Sequence, residues 1–71
     1  MTALQLIGWR PGIKSVSLIR AMKEHATGSL TESKRLLEDL LDGKTVTLEF
    51  RTEEEKEKFR LLAEELGAVT G

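Results

Sequence analysis

From Lys14 to Glu38 the apolar residues recur at three- and four-residue intervals with one interruption, which commits this stretch to two short helices joined by a tight turn. Leu18, Ile19, Met22 and Ala26 fall on one face at about 100° per residue, and that face is expected to be buried. Val16, Arg20 and Lys23 group along the edge of the stripe, with Ile19 bridging stripe and edge. The pattern breaks at Thr27-Gly28-Ser29, where glycine accepts the positive backbone angles that end a helix. Ser29 and Glu32 match a capping box, so the second helix is expected to start near Leu30. Its stripe reads Leu30, Ser33, Leu37, Leu40 and Leu41, with Leu36 at the border and Lys34 on the far margin, and it stops at Asp42-Gly43.

Two other stretches switch to period two. Leu4 and Leu6 alternate with Ala3, Gln5 and Ile7 before the Gly8-Trp9-Arg10-Pro11-Gly12 turn, and their low polarity favours a central strand. Val46, Leu48 and Phe50 face one way and Thr45, Thr47 and Glu49 the other, a strand with one packed and one wet face. Thr52 followed by Glu53, Glu54 and Glu55 caps a third helix, whose buried stripe is Phe59, Leu62, Ala63 and Leu66. Gly67 stops it before a brief strand at Ala68-Val69-Thr70.

The expected order is therefore β-α-α-β-α-β. It describes an α+β, two-layer sandwich in one domain, residues 1–71, with a three-stranded sheet covered on one face by three helices. The last two strands flank a helix and should run parallel, with the first strand inserted between them and antiparallel to both.

At this point the hairpin resembles a family, the C-terminal globular domain of the bacterial ribosomal stalk protein, the acidic seven/twelve protein of the large subunit. That family's helical hairpin reads approximately V-x-V-I-K-x-V-R-x-x-T-G-L-G-L-x-E-A-K. Here Val16-Ser17-Leu18-Ile19-Arg20-Ala21-Met22-Lys23 is followed at matching distance by Leu30-Thr31-Glu32-Ser33-Lys34. The resemblance spans nearly the whole chain and implies the same split β-α-α-β-α-β fold. It also implies a non-enzymatic module that recruits translational GTPases, with Val16, Ile19, Arg20, Lys23, Leu30, Glu32 and Lys34 at the contact positions. The sequence departs from the pattern at Glu24 and His25, where the family has small residues, and at Ser29, where it has glycine. The Thr-Gly pair is displaced by one position, and the domain is expected to stand without the family's dimerisation segment and Ala/Gly-rich hinge.

Charge is distributed unevenly along the chain. Residues 10–35 hold six basic and two acidic side chains, a surplus of four positive charges, and residues 36–66 hold five basic and ten acidic, a surplus of five negative ones. Such a dipole steers an acidic partner toward the first half. A second copy of the chain is a further candidate partner, since pairing would bury Val16, Ile19 and Trp9. The chain has no cysteine, which excludes disulfides and thiolate metal sites. No apolar run approaches a membrane span and no secretory signal is seen, so a cytoplasmic location is expected.

No catalytic, cofactor or metal constellation is expected. His25 is the single histidine and is read as a solvent-facing residue at a helix end, and the serines lack a base and a nucleophile-elbow pattern. The glycines lack phosphate-loop spacing, and the carboxylates lack the spacing of a metal or calcium site. Capping and pairs with Lys56, Lys58 and Arg60 account for the acidic run from Glu53 to Glu57. Trp9 is read as sealing the core edge, with a partner anchor as the other reading.

Two other functions compete with this reading. Nucleic-acid binding around Thr27-Gly28-Ser29 is disfavoured by Glu32, Glu38 and Asp39 on the second helix and by the lack of a strong basic balance. An adaptor of the kind that delivers substrates to bacterial Clp proteases has fold-level analogy alone behind it.

Overall fold

The computed structural model describes residues 2–71. Strand β1 (Thr2–Trp9) is followed by helices α1 (Ser15–His25) and α2 (Leu30–Leu41), strand β2 (Val46–Phe50), helix α3 (Glu53–Glu65) and strand β3 (Ala68–Thr70). The order is the one the periodicities predict. β1 is central, in the order β2-β1-β3, and both pairings are antiparallel, so β2 and β3 run parallel to each other on either side of it.

The β1–β2 register places like with like. Leu4 pairs with Leu48 and Leu6 with Val46, so their side chains enter the core together, whereas Ala3, Gln5, Thr47 and Glu49 stay exposed on the other face. The β1–β3 pairing shifts register between Leu6 and Gly8, which places Trp9 opposite Ala68. Trp9 remains 42% exposed, so it does not close the core as the sequence suggests.

Helices α2 and α3 lie on one face of the sheet, and α1 makes its principal contacts with those two helices. Leu18, Ala21 and Met22 of α1, Leu37 and Leu40 of α2, and Phe59 and Ala63 of α3 meet Leu4, Leu6, Val46, Leu48, Phe50 and Ala68 in one buried cluster. Each of the large side chains contributes roughly 1.5–3 kcal/mol by leaving water. The rings of Phe50 and Phe59, tilted 40° with centroids 5.3 Å apart, tie β2 to α3 at the centre. Ser33 occupies the apolar stripe of α2 without cost because its Oγ donates to the Ser29 carbonyl at 2.9 Å. Leu30 and Leu41, expected on that stripe, lie at its rim and are exposed, as the wheel position 20° from each other allows.

The starts of α2 and α3 follow the sequence signals, but Gly28 does not take a positive φ, and α1 ends instead where Ala26 turns extended. Ser29 Oγ accepts from the Glu32 amide at 3.2 Å, and Thr52 Oγ1 accepts from the Glu55 amide at 3.1 Å. Helix α1 differs, since Lys14 at its N-cap provides no side-chain bond. Its start is held by main chain instead: the Lys14 amide donates to the Leu66 carbonyl at 2.9 Å and the Arg10 amide to the Gly67 carbonyl at 2.8 Å. These bonds join the β1–α1 turn to the α3–β3 turn.

Gly67 makes that junction sterically feasible. Its φ is +106°, and a Cβ there would lie 2.9 Å from the Ile13 Cα. Gly43 also has positive φ, at +91°, but nothing lies within 4 Å of its Cβ position. Gly43→Ala is therefore expected to cost about 1 kcal/mol for the backbone alone, and Gly67→Ala at least about 2–3 kcal/mol because α1 must also be displaced. Urea unfolding of both variants checks the difference; equal losses would show that the contact with Ile13 relaxes freely.

Candidate functional site

The seven candidate residues separate into two groups. On α1, Val16, Arg20 and Lys23 stand within about 60° of one another around the helix axis, on the side opposite Leu18, Ala21 and Met22. They form its outward face rather than the edge of its buried stripe. Val16 is 66% exposed there, and Ile19 is half-buried against the core.

On α2, Leu30 and Lys34 share a margin with Leu41, and Leu30 is 40% exposed. Glu32 occupies the other margin of the same helix. It borders Leu36, Thr47 and Glu49, and its Oε1 lies 3.0 Å from the position a Cβ on Gly28 would take. The structure therefore places Leu30 and Lys34 together and turns Glu32 toward the edge of the sheet.

Electrostatics distinguish the hairpin from the last helix. Lys56 pairs with Glu53, Lys58 with Glu54, and Arg60 with both Glu57 and Glu64, so every cation of α3 has a carboxylate neighbour. The Arg60 guanidinium holds the Glu57 carboxyl below its ordinary value, and burial opposes the effect only in part. Among the described residues, Arg20, Lys23, Lys34 and Arg35 have no carboxylate within 4.0 Å; all four are exposed. Exposed pairs contribute little to stability. Their distribution nevertheless leaves unpaired cations exposed on α1 and α2, whereas those of α3 are paired.

His25 is a correction to the sequence reading. It is not turned to solvent: its side chain is 17% exposed, and its Nδ1 lies 2.6 Å from Glu55 Oε2. This pair joins the end of α1 to the first turn of α3, so Glu55 serves a tertiary contact as well as helix capping. It lines an open groove of about 400 Å³ with Lys23, Arg51, Thr52 and Glu54. No periodicity or motif could reveal it, because the two residues sit on separate helices and their partnership depends on how α1 crosses α3.

Among the described residues no group of three His, Cys, Asp or Glu side chains is placed to hold a metal ion, and no helix is long and apolar enough to cross a membrane. The arrangement defines a compact α+β module whose polar features are exposed charge, one histidine–carboxylate contact and shallow grooves. No family model, curated protein or solved structure matches this chain.

The hydrogen bond to His25 lowers the Glu55 carboxyl from its ordinary 4.5, with further help from the charges of His25 and Lys58 and partial opposition from burial. A carboxyl held down in the folded state stabilises the fold above its unfolded value, and this contribution is lost as pH falls through the folded one. Glu55→Gln should therefore be less stable than the parent at pH 6 and approach it in urea midpoint near pH 3. A difference that stays constant across that range would remove Glu55 ionisation as its cause.

Proposed function

We propose that this chain is a non-enzymatic protein-docking module of the cytoplasm, similar in use to the ribosomal stalk C-terminal domain, and that it receives a translational GTPase. Arg20 and Lys23 on α1 and Lys34 on α2 attract an acidic surface, while Val16, Ile19 and Leu30 supply the apolar area that excludes water from the contact. Glu32, on the other margin of α2, takes a peripheral part.

The observation that carries this reading is the coincidence of exposed Val16 and Leu30 with cations that have no carboxylate partner among the described residues. Solvated surface cations are ordinary, and so are single exposed aliphatics. Their concentration on the two helices of one hairpin, beside a third helix whose cations are all paired, favours docking. Nucleic acid fits less well, since Glu24 shares α1 and Glu32, Glu38 and Asp39 share α2 with the cations.

Association with a purified elongation-type GTPase tests the proposal. At low ionic strength, Arg20→Glu combined with Lys23→Glu should slow association by about tenfold, and the deficit should shrink as salt screens the charges. Val16→Ala should chiefly speed dissociation. Unaltered association of the charge-reversed variant would overturn the electrostatic role, and the absence of any binding by the parent would overturn the choice of partner.

A further inference from the structure

The sheet has one edge that the fold leaves largely open. β2 is an outer strand, and the Thr27 amide donates to the Glu49 carbonyl at 3.1 Å, which shows that the main-chain groups of Glu49 point away from β1. In an antiparallel strand the main-chain groups of alternate residues point to the same side, so the N–H and C=O of Thr47 face outward as well. Among the described residues only the Glu49 carbonyl is taken, by Thr27. Beside this edge lies a groove of about 250 Å³, with Ala26, Gly28, Glu32 and Leu36 on one wall and Thr47 and Glu49 on the other.

The groove carries charge of one sign. Glu32 and Glu49 are exposed, and neither has a cation within 4.0 Å among the described residues. Lys44 and Arg51 flank β2 outside the groove lining, and Lys44 already neighbours Asp39 at 3.8 Å. Carboxylates beside an unpaired strand edge favour a cation-bearing strand.

We infer that the β2 edge binds an extended, cation-bearing peptide segment by strand addition. The segment's main chain bonds to Thr47 and the Glu49 amide. Its alternate side chains reach the half-buried Leu36 on the helix side, and its cations, at the other positions, meet Glu49 on the open face of the sheet. This surface is distinct from the outward face of α1 and from the margin of α2 that bears Leu30 and Lys34, and the inference does not depend on the proposed GTPase partner.

The probe is a seven-residue peptide alternating lysine and valine, blocked at both ends and titrated into the isotope-labelled protein with amide shifts followed by NMR. Shifts should concentrate at Gly28, Leu36, Thr47 and Glu49. Thr47→Pro removes an outward N–H without touching the β1 ladder, so it should keep the native spectrum and weaken binding at least about tenfold. Glu49→Gln should weaken it several-fold, on the order expected for an exposed charge contact, and flatten its salt dependence. A peptide of the same composition with its alternate amides methylated should not bind. Equal binding of that peptide would overturn the inference, because charge alone would then account for the contact. So would shifts centred on Val16 and Arg20, or sedimentation showing that copies of the chain already occupy the β2 edge.

Discussion

Two main-chain hydrogen bonds, from Arg10 to Gly67 and from Lys14 to Leu66, hold the turn before α1 against the turn after α3. Much depends on them, because α1 has no side-chain cap at its start and packs on helices rather than on strands. The junction closes only if residue 67 lacks a Cβ, since the Ile13 backbone occupies that space. With the turns joined, Leu18, Ala21 and Met22 are delivered to the core, and Val16, Arg20 and Lys23 are necessarily presented to solvent. A glycine near the C-terminal end thus sets the orientation of a charged surface near the beginning. At the other end of α1, the contact between His25 and Glu55 limits rotation about that anchor.

The charge pattern follows from how each helix is built. α3 begins with three carboxylates at its positive end and places its cations three or four residues from an acid, so every cation is paired along a single helix. α1 has no acid in its first turn and α2 has one, Glu32, which turns away from the neighbouring lysine. The result is a molecule with one net-acidic helix whose cations are all paired beside two helices whose cations remain available to other molecules.

Local signals in the sequence mark most of this architecture. The alternation of Val46, Leu48 and Phe50, the caps Ser29 and Thr52, and the stops Gly43 and Gly67 depend on neighbours a few residues away, and each appears where its chemistry requires. The central place of β1 was also legible, from the low polarity of Leu4 to Ile7. Features set by the relative placement of elements were not. His25 meets Glu55 because of a helix crossing, and Trp9 stays exposed where the β1–β3 register shifts. For the candidate surface, the wheel grouped Val16, Arg20 and Lys23 correctly, but it set them beside the buried stripe instead of opposite it.

The irregularity between Leu6 and Gly8 has a further consequence for how such molecules associate. It disturbs the pairing of β1 with β3, and β3 itself spans only three residues, which makes that side a poor template for additional strands. The opposite side is regular over five residues. A sheet built this way is asymmetric at its margins, with one regular outer strand and one short, irregularly paired strand that blunts the other side against further pairing.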